Sequence, residues 1–452
     1  MLEVFFFSGI GGSGLSAIAR FMAARGHKVS GSDRSFAHNP DHPALDPLRR
    51  CGITIYPQDG TGITPEIELL VFSTAVETDQ PELVKARTYG IPLMTRPDFL
   101  AALSAEFRTI AVAGTSGKST TSGLLAFLMD CLGMQPNFIG GGRVKQFRAH
   151  DNPGNSLTGT SDLLVMEACE SDGSIVHYRP EHTLLLNLDL DHHSIDETAS
   201  MFAALIQNTR SRVLLNANDQ HLLKRFVSKK AITFSLQGSA DYCAEHIDIK
   251  PLRSSFSVGG VRFQLSLPGL FNICNALACI AMLSEMGISL HKISEVLPEF
   301  SGIERRFDIH LHDNGRLVID DYAHNPHKIA AMMQTLQPLS RSICYVFQPH
   351  GYGPTRMMKD EYISVFTEHL RPSDHLILLP IYYAGGTVHK DISSDDLARA
   401  IASAGKSAEA VLKRDDVFKK KISWESFVVF GARDESLSAF AASLAQKIRT
   451  MP

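Results

Sequence analysis

Short apolar runs alternate along the chain with longer stretches in which apolar positions recur at helical spacing. A short run bounded by turn residues fits a strand buried on both faces, and the longer pattern fits a helix laid on a sheet. Their alternation predicts α/β architecture with mostly parallel sheets. In the first segment Val4–Ser8 predicts a strand, Gly9-Ile10-Gly11-Gly12-Ser13-Gly14 a turn, and Leu15 to Arg25 a helix. His27–Ser30 and Leu69–Phe72 predict further strands, ending at Gly31-Ser32-Asp33 and Ser73-Thr74-Ala75, and a helix is expected from Pro97 to Ser104. A second segment opens at Arg108 with strand Thr109–Ala113, turn Gly114–Lys118 and helix Ser119–Cys131. It continues with strands at Leu163–Glu167 and Thr183–Asp189, a β insertion over Ile247–Leu267, and a helix at Asn272–Met286. In the third, Leu317–Asp321, Ile343–Gln348, His375–Leu379 and Phe427–Phe430 predict buried strands with helices between them. The expected domains are residues 1–107, 108–304 and 305–452.

Composition narrows the class. The 452 residues allow about three domains. With 44% hydrophobic and 20% charged residues the chain can build real cores. Forty-four Lys and Arg against 48 Asp and Glu leave a net charge of -4, which argues against a dedicated nucleic-acid binder. Seven scattered cysteines without a CxxC predict reduced thiols rather than a disulfide frame or structural zinc. The apolar start at Val4–Phe7 lacks a basic leader, and no run approaches a membrane span, so a cytoplasmic protein with no membrane partner is expected.

The strongest chemical signal is Gly114-Thr115-Ser116-Gly117-Lys118-Ser119-Thr120-Thr121, between a strand and a helix. Glycines let backbone N–H groups aim at phosphate oxygens, the helix N-terminus favours negative charge, Lys118 adds a cation, and the Ser119 hydroxyl can ligate Mg²⁺. The strict G-x-x-x-x-G-K-[ST] pattern would need glycine where Val112 stands. Gly9-x-Gly11-x-x-Gly14, followed by Asp33 at the end of the next strand, fits a dinucleotide fingerprint, but a uridine diphosphate meets the same physical requirement. Glu167 through Asp172 and Asn187 through His193 follow two further strands, at the ends where such sheets bind ligands. Arg305-Arg306-Phe307 and Asp320-Asp321-Tyr322-Ala323-His324-Asn325-Pro326 flank the third segment's first strand; paired arginines can neutralise developing phosphate charge.

Taken together these motifs resemble the Mur ligase family, the ATP-dependent amide-forming enzymes of bacterial peptidoglycan synthesis, over essentially the whole chain. Pro268-Gly269-Leu270-Phe271-Asn272-Ile273-Cys274-Asn275, Gly302 through Phe307 and Phe347-Gln348-Pro349-His350 also carry the resemblance. The resemblance implies a Rossmann-like N-terminal domain, a central P-loop ATPase and a C-terminal Rossmann-like domain. It implies joining UDP-N-acetylmuramate to an amino acid or peptide through an acyl phosphate, with ATP and Mg²⁺, by a monomer or homodimer. The N-terminal segment is most similar to the branch that adds L-alanine, and the Thr-x-Met-Met-Lys at Thr355–Lys359 to the branch that adds a recycled peptide.

By this resemblance Lys118, Glu167, His192, Arg305, Arg306, His324 and His350 are candidate catalytic residues, and Ser119, Glu167 and His192 candidate Mg²⁺ ligands. The loop Gly114–Thr120, Asn272, Asn275, Arg306 and Asp320 or Asp321 would hold ATP. Gly11, Gly12, Ser13, Gly14, Ser32, Asp33, Ser73, Arg96 and Arg356 would contact the substrates. Ser116 and Phe271 stand where the family usually has histidine, and Gly351-Tyr352-Gly353-Pro354 where the alanine branch has arginines. Arg356, Lys359 or Arg433 would then have to reach the acceptor's carboxylate. A nicotinamide oxidoreductase and a non-catalytic nucleotide-binding paralogue are the alternative readings; the former leaves the Lys118 loop unexplained.

Overall fold

The computed structural model describes residues 3–450 apart from 40, 41, 43, 191, 192, 228–230, 251, 314, 384–388, 421, 422, 432 and 433. His192 and Arg433 therefore lie outside the described residues. The chain forms two compact units, residues 1–303 and 304–452.

Among the described residues the first unit holds three sheets. In the first, β1 (Val4–Ser8), β2 (Lys28–Ser32), β3 (Thr54–Tyr56), β4 (Leu69–Phe72) and β5 (Leu93–Thr95) are all parallel, in the order β3-β2-β1-β4-β5. The order reverses at β1, so the crevice beside its C-terminal end is a topological switch point. The second sheet runs through β6 (Arg108–Ala113), β7 (Asn137–Ile139), β8 (Ser156–Leu157), β9 (Leu163–Glu167), β10 (His182–Leu185), β11 (Arg212–Asn216), β12 (Ala231–Ser235) and β13 (Tyr242–Cys243). Its order is β13-β12-β11-β10-β6-β9-β7-β8, with only the β7–β8 pair antiparallel. The predicted β insertion is an antiparallel meander of β14 (Glu245–Lys250), β15 (Arg253–Val258) and β16 (Val261–Leu265).

The helix Ser13–Ala24 is buried at every position from Leu15 to Met22. It lies on the first sheet and also packs against the β7–β8 hairpin of the second, which explains burial on all sides. One apolar core accordingly runs from Phe5, Phe7 and Phe99 to Ala111, Leu164 and Met166.

The second unit is a six-stranded sheet of β17 (Asp308–Asp313), β18 (Arg316–Asp321), β19 (Ile343–Phe347), β20 (His375–Leu378), β21 (Ala408–Ala410) and β22 (Ser426–Phe430). Its order is β17-β18-β22-β19-β20-β21. Only β17 is antiparallel to its neighbour. β17 was not expected: Asp-Ile-His-Leu-His-Asp carries two apolar residues, and pairing along β18 supplies what its pattern lacks. The strand expected at Thr183–Asp189 ends at Leu185, because Asn187 through Asp189 turn away to meet the Gly114–Lys118 loop.

Candidate functional site

The phosphate-loop candidate grows from β6, the strand flanked by β9 and β10 in the second sheet. Gly117 caps the helix Lys118–Cys131 with φ 84°, a left-handed conformation that glycine adopts without strain. A Cβ there would stand 2.7 Å from Asn275 Oδ1, so the loop and the helix Leu270–Glu285 approach closely only because residue 117 has no side chain. The loop is latched to β10's trailing segment. Ser116 N–H donates to Asn187 Oδ1 at 2.7 Å, and Asn187 Nδ2 donates back to Ser116 O at 3.0 Å. Thr115 Oγ1 accepts from Asp189 N at 2.9 Å. Asn187 is thus a shaping residue that the sequence reading placed in a motif without giving it a task. The Ser116 side chain is exposed and the latch uses its backbone, so replacing histidine there leaves the loop's shape intact.

Lys118 is buried. Its ammonium donates to Gly114 O at 2.6 Å and to Glu170 at 2.8 and 3.1 Å. Burial alone would depress the Lys118 pKa, but Glu170, Cys169 and Glu167 outweigh it and hold the group above its ordinary value. Glu170 is buried too and is the counter-charge that the motif reading passed over. Ser119 Oγ donates to Glu167 Oε1 at 3.2 Å, and Glu167 Oε2 accepts Gly141 N–H at 2.9 Å. Hydroxyl and carboxylate oxygens therefore converge at the loop's helix terminus. Among the described residues no group of three or more acidic, histidine or cysteine side chains could hold a metal. A phosphate-bound Mg²⁺ needs only one or two protein oxygens, which this pair fits. Thr120 is half buried beside it, and Asn272 is buried with Nδ2 donating to Pro268 O at 2.8 Å.

In the first sheet the glycine turn is braced by Asp33. Its Oδ2 accepts Gly11 N–H at 2.8 Å and its Oδ1 accepts Ser35 N–H at 2.9 Å. Any Cβ on Gly11 would fall 2.8 Å from that carboxylate. Gly12 caps the helix that Ser13 begins. Arg96 reaches over the turn, with Nη1 3.3 Å from the Cβ position of Gly14, and pairs with Asp172 at 2.6 Å. Ser73 lies against Gly9. Ser32 does not belong with these. It is fully buried and its hydroxyl donates to buried Glu82 at 2.9 Å, so it supports the turn from beneath instead of meeting a ligand.

In the second unit, Arg305 and Asp320 also differ from expectation. Arg305 is buried, with φ 60°. Its Nε faces both Asp320 oxygens at 3.3 Å, Nη1 donates to Asp434 O at 3.0 Å, and Nη2 to Gly431 O. A guanidinium so occupied is a pin for the strand ends, not a phosphate contact. Asp320 is fully buried beneath it, which removes it as a ribose ligand; burial pushes its carboxyl up to about 7 against the pull of Arg305. Asp321, at the C-terminal end of β18, accepts Phe307 N–H and Ala323 N–H at 2.8 Å each. Arg306 is half buried with its guanidinium 4.6 Å from the Tyr322 ring centre. His324 and His350 meet edge to face at 5.4 Å, at the ends of neighbouring segments after β18 and β19. Burial, with Lys328 nearby, drives His324 down to about 3, so its ring is neutral across the physiological range. Arg356 is held by Asp391 through Nε at 3.0 Å and donates Nη2 to His389 O at 3.0 Å.

Two sheets with glycine-rich loops at their strand ends, followed by a further sheet that is parallel except for β17 and carries buried charge, define a three-part α/β class. The sequence signature described as the Mur ligase family catalytic domain matches residues 5–108, the Mur ligase middle domain residues 112–283, and the Mur ligase glutamate ligase domain residues 305–448. This chain belongs to the Mur ligase family. It is 33% identical over 464 residues to UDP-N-acetylmuramate–L-alanine ligase of Burkholderia multivorans, covering 97% of each chain. It is 32% identical over 437 residues to the enzyme of the same name from Carboxydothermus hydrogenoformans, covering 92% of this chain and 90% of that one. Among solved structures it resembles the UDP-N-acetylmuramate–alanine ligase of Thermotoga maritima, with TM-score 0.80, 27% identity and 99% of both chains covered. A murein peptide ligase from Psychrobacter arcticus shares the fold, with TM-score 0.70, 23% identity, and 100% and 99% coverage.

Two outcomes follow from these charges. Glu170→Gln removes the counter-charge of a buried ammonium, so the unliganded protein is expected to melt earlier and a nucleotide's phosphates to restore more. The rise in Tm on adding ADP should be larger in the variant than in the parent; an equal rise contradicts the arrangement. His324 titrates at about 3 folded and near 6.5 unfolded, so the unfolded state binds more protons between those values. The second unit should lose stability as pH falls from about 6.5 toward 3. Denaturant titrations should show a flatter pH dependence in His324→Gln.

Proposed function

We propose that this chain is an ATP-dependent ligase joining the carboxylate of UDP-N-acetylmuramate to the amine of an amino acid or short peptide, in peptidoglycan synthesis or recycling. The observation that carries this reading is the Lys118 loop, with its buried ammonium and the Ser119–Glu167 oxygen pair. With this reading go domains at 1–107 for the sugar nucleotide, 108–304 for ATP and 305–452 for the acceptor, in a cytoplasmic monomer or homodimer. No helix among the described residues is long and apolar enough to cross a membrane.

ATP supplies the driving chemistry, turning the sugar's carboxylate into an acyl phosphate with ADP as leaving group, after which the amine displaces phosphate. The chain's task is to bring anions together and hold them. Lys118 and the N–H groups of Gly117–Thr120 would cradle the phosphates, Ser119 and Glu167 would hold Mg²⁺ with His192 as a further candidate ligand, and Asn275 would face the base. The glycine turn and Arg96 would take the pyrophosphate of the sugar nucleotide. Arg306 would meet phosphate in place of Arg305, and Asp321 the ribose in place of Asp320. Neutral His324, with His350, can accept a hydrogen bond from the incoming amine without repelling an ammonium.

Lys118→Ala should lower ADP formation about a hundredfold, roughly 3 kcal/mol for one lost transition-state contact. Near-normal turnover in a folded variant would remove the assignment, and so would a parent protein that forms no ADP with UDP-N-acetylmuramate and any amine.

A specific observation favours an acceptor other than L-alanine. A carboxylate normally calls for a bidentate arginine, yet Arg356 is already paired with Asp391. Gly353 has nothing within 4 Å of its Cβ position, which leaves room for a larger group. Given equimolar L-Ala, L-Ser, Gly and L-Ala-γ-D-Glu-diaminopimelate, the UDP product should carry an acceptor other than L-Ala when read by mass spectrometry. Dominance of L-Ala would make Arg356 an anchor that releases Asp391 on binding.

A further inference from the structure

Arg20 lies in the enclosed stretch Leu15–Met22 of the helix Ser13–Ala24 and is 3% exposed. Its Nη2 donates to Asn155 Oδ1 at 2.5 Å, while its Nε and Nη1 are buried without a partner among the described residues. Burial holds its pKa down at about 10, so the site carries a cost that an apolar side chain would avoid. Asn155 sits just before β8, on the second sheet, and uses both polar atoms of its side chain and its backbone carbonyl. Its Nδ2 donates to Ser13 O at 3.0 Å, which is the end of the glycine turn. Its own backbone carbonyl accepts Gly140 N–H at 3.0 Å. The next residue, Gly141, donates to Glu167 Oε2 at 2.9 Å, and Glu167 in turn meets Ser119. A short run of hydrogen bonds thus joins the loop of the first sheet to the carboxylate loop of the second, with Asn155 at its centre and Arg20 holding the Asn155 amide in one orientation.

We propose that Arg20 and Asn155 are a positioning pair that fixes the register between the Gly11–Gly14 turn and the Gly140–Gly142 loop against Glu167. The proposal rests on the reading above, in which the first loop takes the sugar nucleotide and the second serves the phosphates. Transfer between a carboxylate and a phosphoryl group needs the reacting atoms about 3–3.5 Å apart, and a misplacement of about 1 Å can cost a hundredfold. A pair that only stabilised the fold would affect activity no more than it affects melting.

Asn155→Asp separates the two roles. The carboxylate gives Arg20 a charged partner, so the fold is kept, but it cannot donate to Ser13 O, so the arm to the glycine turn is cut. The expected result is a Tm at or above the parent's, Kd values for UDP-N-acetylmuramate and for ATP each within about threefold, and kcat at least tenfold lower. Arg20→Met with Asn155→Leu removes both polar partners; it should melt like the parent and show the same loss of kcat, and it decides the question if Asn155→Asp fails to fold. A stable variant of either kind with kcat within twofold of the parent overturns the proposal. If the parent binds neither UDP-N-acetylmuramate nor ATP, the reading of the two loops falls instead, and the positioning role with it.

Discussion

A lysine ammonium cannot be buried without a counter-charge, and much of the second sheet answers to that constraint at Lys118. Glu170 supplies the charge from the segment after β9, and Gly114 O closes the other side. Both lie at C-terminal strand ends because β6 and β9 are adjacent and parallel, so their trailing loops emerge side by side. The same adjacency puts Glu167, the last residue of β9, opposite Val112, one residue short of the end of β6, and so within reach of Ser119. Under the proposed function phosphate binding would be a substitution: anionic ligand oxygens would replace part of what Glu170 supplies, with the loop geometry already set before they arrive.

Backbone shape at the loop is held by partners that are not themselves chemical. Asn187 pairs with the backbone of Ser116 in both directions, and the strand β10 stops early so that it can. The first sheet has the same design, with Asp33 capping a short helix and bracing Gly11 at once. In both places a side chain expected to touch ligand, or left without a task, fixes the glycine-rich segment beside it.

The α/β class, the strands β1, β4 and β9, the glycine turn and the Lys118 loop were legible in the sequence because each is local: a run of apolar residues ends at glycine, and the helix pattern begins at once. Pairings across distance were not legible. Nothing near Lys118 in the chain names Glu170 as its partner, and nothing near Asp33 says that its oxygens serve Gly11. The arginine pair shows the limit most plainly. Arg305 and Arg306 are equivalent as letters, yet a left-handed φ of 60° at Arg305 turns its side chain into the core, where Asp320, Gly431 O and Asp434 O take its donors. Which of two neighbouring cations faces inward goes with backbone conformation, and the carbonyls that receive Arg305, Gly431 O and Asp434 O, lie far along the chain, after β22.

Charge is handled differently in the two units. Around Lys118 the buried groups are charged and paired, ready to exchange one anion for another. At the end of β18 and β19 the half-buried imidazole of His324 is kept neutral, and Asp320 is pushed toward its protonated form while Arg305 pins it. Under the proposed function an amine approaching His324 as an ammonium would be repelled by a cationic imidazole, whereas a neutral one could accept its N–H. Desolvation at His324 therefore does in the second unit what ion pairing does at Lys118 in the first: it fixes the protonation state of a group before any substrate is present.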